Sequence, residues 1–182
     1  MVDIVVSYFC NVLKRFNKNM KFELKDTGKY GNGMFATDYI KKGETILFFD
    51  GKIFTLDEIN AEVASGNENI DDPLQIGDEL FLDLNETERS FNHSCDPNAG
   101  MRGRSELFAI KDINVGEEIT YDYSAVVGKN ITSDMWTMRC SCGSDKCRGI
   151  IGNILSLPKE TLRTYVDAGA PQDYLKKQLN IL

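Results

Sequence analysis

The chain contains a single histidine, His93, among 182 residues. A Ser-His-Asp or Cys-His hydrolase would have to use it. It stands beside Ser94 and two residues from Cys95, too local for a base and a nucleophile that usually come from different parts of a fold. Hydrolase chemistry is therefore not expected. No apolar run approaches the roughly 20 residues of a bilayer span, and Ile4-Val5-Val6 is preceded by Asp3 rather than by a basic n-region. Neither a membrane segment nor a signal peptide is expected. Basic residues are outnumbered, 21 Lys and Arg against 28 Asp and Glu, for a net charge of −7. Nucleic-acid binders cluster Lys and Arg to displace counterions from phosphates, so this balance argues against one. An acidic surface keeps a protein soluble, and it also suits a basic partner. Internal repeats and low-complexity segments are lacking too.

What is present fits one domain with appendages, since single domains hold roughly 100–200 residues. The hydrophobic share, 42%, is spread in short runs. Five cysteines without an export signal point to a reducing intracellular compartment, cytoplasm or nucleus, where close cysteines bind metal or do redox work more often than they form disulfides. Cys140-x-Cys142-x4-Cys147 offers three thiolates within eight residues, and tetrahedral zinc takes four ligands. Cys95, Cys10 and His93 are the residues left to complete such a set. A redox pair is disfavoured, because Cys-x-x-Cys beside a βαβ unit is absent. Any cysteine left over is expected to be a buried, inert thiol.

Along the chain, Val5, Tyr8, Phe9, Val12, Leu13 and Phe16 recur at helical spacing and predict a helix over 4–17. Met20 to Leu24 alternates as a strand, and Asp26-Thr27-Gly28 turns. Residues 29–36, Lys-Tyr-Gly-Asn-Gly-Met-Phe-Ala, form a glycine-punctuated loop feeding a strand. Thr45 to Phe49 predicts a strand, and Asp50-Gly51 signals a hairpin before Lys52-Ile53-Phe54. Thr55 and Glu58 form a capping box that opens a helix to about Ser65. Gly66 to Gly77 reads as a polar, acidic loop, either solvated or a docking surface for a basic peptide. Further strands are expected at 79–84, 107–110 and 119–123. Ser124 to Ser133 reads as a mobile connection. Ser156 is positioned to cap a helix over 158–166 that closes at Gly169, and Pro171 opens another over 173–182. Many short strands with few long helices indicate a β-rich fold, mostly β with peripheral helices.

Three motifs occur in order: Phe91-Asn-His-Ser-Cys-Asp-Pro-Asn98, Gly116-Glu-Glu-Ile-Thr-Tyr-Asp-Tyr123, and Cys140 to Gly149. Together they resemble the core of a SET-domain protein lysine methyltransferase with a zinc-binding post-SET segment, over about Lys21 to Gly149. The resemblance implies a SET fold of short β-sheets with a knot-like crossing. The corresponding division is 1–20 an N-terminal helix or extension, 21–125 the SET domain with an insert at about 55–77, 126–152 the post-SET zinc segment, and 153–182 a helical extension.

By the same resemblance, Tyr30, Gly31, Asn32, Gly33 and Met34 contact S-adenosylmethionine, the methyl donor. Asn92 contributes its amide, His93 mainly its main chain, and Arg89 meets the methionine carboxylate. Tyr123 takes the catalytic position. Tyr121 stands where a tyrosine limits the number of methyls added, and Phe49 and Phe81 line the substrate channel with it. Many relatives carry tyrosine where Phe49 stands, which weakens the inferred mono-methylation. Cys95 completes a structural zinc site with Cys140, Cys142 and Cys147. The implied activity is lysine N-methylation of a basic protein such as a histone, while the charge balance and the lack of an apolar span set aside direct contact with nucleic acid or membrane. The alternative is a catalytically weak, zinc-stabilised peptide-binding module. No cysteine-rich segment precedes Lys21, so terminal helices or self-association are expected to stabilise the domain. The sequence sets no oligomeric state.

Overall fold

A computed structural model describes residues 20–28 and 31–181 of the chain. The expected helix over 4–17, Cys10 and Tyr30 lie outside the described residues. In chain order the elements are β1 (Phe22–Asp26), β2 (Asn32–Ala36), β3 (Thr45–Phe48), β4 (Gly51–Thr55), α1 (Leu56–Ser65), β5 (Leu74–Gln75) and β6 (Leu80–Leu84). They continue with α2 (Glu86–Arg89), β7 (Ala99–Arg102), β8 (Glu106–Ala109), β9 (Met138–Arg139), β10 (Ile150–Ile151), α3 (Lys159–Ala168) and α4 (Asp173–Leu179). The strands pair antiparallel into small sheets, β1-β2, β3-β8-β7, β4-β6-β5 and β10-β9. The β-rich class with peripheral helices read from the sequence is the class observed.

Local chemistry sets several boundaries. Thr55 and Glu58 close the capping box that starts α1, and Gly66, at φ 77°, ends it in the left-handed conformation that glycine adopts without strain. Asn85 and Glu88 repeat the box at α2. Asp50-Gly51 does not make a hairpin, because β3 and β4 belong to different sheets. The Glu88 carboxylate accepts the Asp50 N–H at 2.9 Å, and Gly51 pairs with Leu84, its Cα pressed so close to the Asp83 carbonyl that no Cβ would fit. Glycine serves here to let the chain change sheets.

The main core gathers Phe22, Met34, Phe49, Leu107, Ile113, Ile119 and Tyr121 around Phe91. Phe22 meets the Phe91 ring edge-on at 5.2 Å, and Phe49 meets it at 5.7 Å. Burying rings of this size is the principal stabilising force of so small a domain. The stretch expected to be mobile, Ser124 to Ser133, is packed instead. Ser124, Ala125, Val126 and Ile131 are buried, and the Gly128 N–H donates to Gln75 Oε1 at 2.7 Å. Likewise the acidic loop runs into buried Leu74, Gln75 and Ile76.

The C-terminal helices form a second core with Phe108, Ile110, Ile154, Leu157, Tyr165 and Leu175. They are stitched on by the Asp173 N–H to Gly103 O at 2.8 Å and by Gln172 Nε2 to Arg104 O at 2.6 Å. Ser156 does not cap α3. Its hydroxyl instead donates to Asn153 O at 2.7 Å, closing the preceding 3-10 turn, and Pro158 holds the cap position without a side-chain bond. Helix α4 ends at Asn180 in the left-handed conformation, before the 182 expected. No helix among the described residues is long and apolar enough to cross a membrane.

Candidate active site

Residues 91–94 and 119–123 run side by side. Tyr121 N–H donates to Asn92 O at 3.2 Å, Ser94 N–H to Tyr121 O at 3.1 Å, and His93 and Tyr121 form a parallel bridge. Flanking bonds, Ala99 N–H to Thr120 O and Asn98 Nδ2 to Glu118 O, fix the crossing. Asn98 also accepts the Thr120 N–H, so one amide side chain satisfies both a donor and an acceptor of the neighbouring segment. This is the structural work of the Asn-Pro end of the first motif.

The expected strand over 119–123 is not regular. Its only ladder partner among the described residues at 121 is the single bridge to His93, and Tyr123 already opens a 3-10 turn capped by the Asp122 side chain. The two tyrosines nevertheless face the same way, their ring centroids 4.9 Å apart. Tyr121 is buried and Tyr123 half-buried. Burial raises the Tyr123 hydroxyl well above its ordinary range, with the charges of Asp72, Asp71 and Glu118 adding to it, and burial does the same for Tyr121. Neither hydroxyl ionises near neutrality. Tyr123 Oη donates to Phe91 O at 2.9 Å, which fixes its proton and leaves the oxygen lone pairs for another donor.

The pair forms part of the wall of an open cleft. Leu56, Ile59 and Val63 of α1, Met135 and Trp136, and Phe81 and Leu84 of β6 also line it. Trp136 Nε1 donates to Asp71 Oδ1 at 2.8 Å, tying the segment after Tyr123 to the acidic loop. Phe81 lines the same cleft as Tyr121. Phe49 is buried and meets Tyr121 edge-on at 6.1 Å, behind that ring rather than in the cleft wall.

Arg89 is turned away from the role expected of it. Its guanidinium meets Asp72 Oδ2 at 2.8 Å, Glu68 Oε2 at 3.0 Å and Asp83 Oδ1 at 2.7 Å, and Nε donates to Leu84 O. Three carboxylates already outweigh its single charge, so a further carboxylate would be repelled there. Asn92 stands beside the glycine loop. Its Nδ2 donates to Asn32 O at 3.0 Å and to Glu118 Oε1 at 2.7 Å. A Cβ on Gly33 would lie 2.9 Å from both Asn92 Nδ2 and Thr27 Cγ2 and would collide with Glu118 Oε1. Gly31, Asn32 and Gly33 therefore bring bare main chain against Asn92, a polar cradle that suits a ligand needing close backbone approach. Met34 is buried behind it, and its carbonyl accepts the Ile119 N–H at 2.7 Å.

The cysteines meet behind the crossing. Cys95 Sγ is 3.7 Å from Cys140 Sγ, Cys140 Sγ is 3.6 Å from Cys147 Sγ, and the Cys95 N–H points at Cys142 Sγ at 3.5 Å. A tetrahedral ion with sulfur ligands at about 2.3 Å sets neighbouring sulfurs about 3.8 Å apart, so the donor set fits a metal ion. His93 Nε2, Cys95, Cys140 and Cys142 also lie within 4.8 Å of one another. His93 Nδ1, however, accepts the Tyr123 N–H at 3.1 Å, which in the neutral ring puts the proton on Nε2, 3.3 Å from Cys95 Sγ. A protonated nitrogen donates to a thiolate and cannot ligate, so the hydrogen bond favours Cys147 as the fourth ligand. Burial pushes the imidazole down to about 4, which keeps it neutral. Burial also raises the Cys95 and Cys140 thiols, whereas at Cys142 hydrogen bonds led by the Cys95 N–H outweigh burial and bring the thiol down to about 7.

Residues that sequence reasoning passed over hold this together. Asp122, buried between the tyrosines, receives Arg148 Nη1 at 2.6 Å, Arg148 Nη2 at 2.7 Å, Tyr165 Oη at 2.9 Å and the Ser124 N–H at 3.0 Å. Arg148 N–H in turn points at Cys95 Sγ at 3.4 Å. Asp122 and Arg148 lie inside recognised motifs and were legible as such. Tyr165 had no signal beyond its place on a helix face.

Comparison with known proteins agrees with this geometry. The family model for the SET domain matches residues 31–124, just over half of the chain. The "Histone-lysine N-methyltransferase ash1" of Drosophila melanogaster is 33% identical over 138 residues, covering 69% of this chain and 6% of that protein. The "Histone-lysine N-methyltransferase set1" of Dictyostelium discoideum is 29% identical over 149 residues, covering 75% and 10%. The chain thus spans a tenth or less of these relatives' length. Among solved structures, Chaetomium thermophilum PRC2 bound to S-adenosylmethionine superposes with a TM-score of 0.51 at 25% identity, covering 59% of this chain and 15% of that one. With its crossing, its tyrosine pair and a family match of this extent, the chain belongs to the SET-domain family.

Proposed function

We propose that this chain is an S-adenosylmethionine-dependent protein-lysine N-methyltransferase acting on a basic protein segment. The observation that carries the reading is the tyrosine pair in the wall of the apolar cleft, hydrogen-bonded through residues 91–94 to the Asn92–Gly33 cradle. S-adenosylmethionine held there would supply a methyl on a positive sulfur, the sulfur keeping the bonding electron pair as a thioether.

The remaining difficulty belongs to the acceptor. A lysine with an ordinary pKa near 10.4 costs roughly 4–5 kcal/mol to deprotonate at neutral pH. An apolar cleft removes much of this, because desolvation disfavours the ammonium. The tyrosines cannot take the proton as tyrosinates, since both hydroxyls stay protonated, so it passes to solvent water at the open mouth of the cleft before the neutral amine attacks. Their role is alignment. Tyr123 Oη, its own proton committed to Phe91 O, accepts from the amine and aims the nitrogen lone pair at the methyl, which is what an in-line displacement needs. Tyr121 crowds the amine and favours a single methyl, while Phe49 offers no hydroxyl to hold it.

Cys95, Cys140, Cys142 and Cys147 would hold a structural zinc ion. Four thiolates close its shell, so the ion pins the tail and provides no water for chemistry. Histone tails are the first substrates to try, given what the two relatives are named for. The test incubates the purified 182-residue chain with methyl-labelled cofactor and a panel of basic proteins that includes core histones, and locates the label by mass spectrometry. Label on lysine side chains is expected. Tyr123→Phe should remove transfer while the cofactor still binds by calorimetry. Transfer undiminished in Tyr123→Phe, or no transfer to any protein, would refute the reading.

A further inference from the structure

The cleft carries apolar side chains well beyond the two tyrosines. They come from α1, through Leu56, Ile59 and Val63, and from Ile70, Met135 and Trp136. Ile70 and Met135 are large apolar residues left 52% and 39% exposed at its rim. Two exposed hydrophobes flanking a cleft lined by further apolar side chains form a surface that gains by being covered. Asp71 and Asp72 stand beside them, and the chain as a whole carries −7. Asp72 is partly neutralised by Arg89, whereas the bond that Asp71 accepts from Trp136 brings no positive charge. The rim therefore attracts a cation-bearing segment while the wall selects apolar groups.

We infer that this cleft recognises a basic peptide in which an apolar residue stands two positions from the target lysine. This rests on the proposed methyl transfer and adds to it the class of sequence around the lysine. The spacing follows from geometry. In an extended segment, neighbouring side chains point to opposite faces and alternate ones share a face about 6.6 Å apart. With the lysine reaching toward Tyr121 and Tyr123, its immediate neighbours face out. The residue two away faces the wall of Val63, Ile70, Met135 and Trp136. A leucine, isoleucine, methionine or phenylalanine there buries its side chain against that wall, whereas serine or glutamate leaves the wall wet or is repelled by the adjacent carboxylates.

The experiment uses the full chain, methyl-labelled cofactor and pairs of arginine-containing peptides with one lysine, identical except that the residue two before or two after it is leucine or serine. One of the two positions should raise kcat/KM for leucine over serine on the order of tenfold. Ile70→Ser and Met135→Ser, both at exposed positions that folding tolerates, should each lower that ratio toward one. Transfer to both members of every pair at equal rates would overturn the inference and leave lysine methylation standing. A leucine preference unchanged in both variants would overturn the assignment to this wall. Absence of transfer to every peptide and to every basic protein of the wider panel would overturn the methyltransferase reading and this inference with it.

Discussion

Replacing Asp122 by Asn puts the packing behind the tyrosines to its severest test. The carboxylate is buried and meets four donors between 2.6 and 3.0 Å, two of them from Arg148, whose side chain is itself largely buried. Asparagine keeps the shape but removes the charge, leaving the guanidinium uncompensated in a region of low polarity. Breaking a buried pair by removing one partner costs about 3–5 kcal/mol. For a domain of this length each kcal/mol is worth about 2–4 °C, so the melting temperature should fall by about 6–20 °C. The assay is thermal and urea unfolding followed by circular dichroism with zinc present in excess. Arg148→Met alone should cost a similar amount by stranding Asp122. The double variant should be less destabilised than the two single effects added together, by about 2 kcal/mol or more, because neither charge is then left alone. A loss below about 1 kcal/mol for Asp122→Asn, or strict additivity in the cycle, would refute the claim that this ion pair fastens the metal-binding tail to the tyrosine turn.

Other outcomes follow from single contacts. Gly33→Ala should abolish cofactor binding in calorimetry while the fold survives, since its Cβ would press on Asn92 Nδ2 and Glu118 in the cradle. Chelation should release one zinc per chain, and loss of the ion should expose the 140–149 segment to protease, with methyl transfer lost in parallel. Because the ligands must be thiolates, the same release should occur as pH falls, with metal retention measured after dialysis across a pH series. Tyr165→Phe removes one hydrogen bond to a charged acceptor and should cost about 1.5–3 kcal/mol in urea unfolding.

How far the sequence could be read depended on whether a contact was local. The Thr55–Glu58 box, the Gly66 stop and the α3 stop at Gly169 are legible because each is decided within a few residues. Asp50-Gly51 misled because its turn chemistry is real but tertiary pairing overrides it. Glu88, far along the chain, captures the Asp50 N–H, and Gly51 is needed for close approach to Asp83. Strand β7 escaped notice since Ala99-Gly100-Met101-Arg102 lacks the β-branched residues that announce a strand, and its partner β8 supplies the order. Arg89 was legible in position but not in company, because Glu68, Asp72 and Asp83 come together only in the folded chain. The thiol cluster was legible through spacing and family pattern together. The case for Cys147 over His93 needed the direction of one hydrogen bond.

The split of β3 and β4 between two sheets also bears on how the molecule reaches its native state. Thr45 pairs with Phe108, Lys52 pairs with Asp83, and Asp122 waits for Arg148 and Tyr165. β3 and β4, adjacent in the chain, gain nothing by zipping together, so for them loop closure must be paid for before sheet pairing returns any stabilisation. Refolding of this domain should be slow for its size, and a chain interrupted before Arg148 would keep Asp122 as a bare, unneutralised charge at its centre.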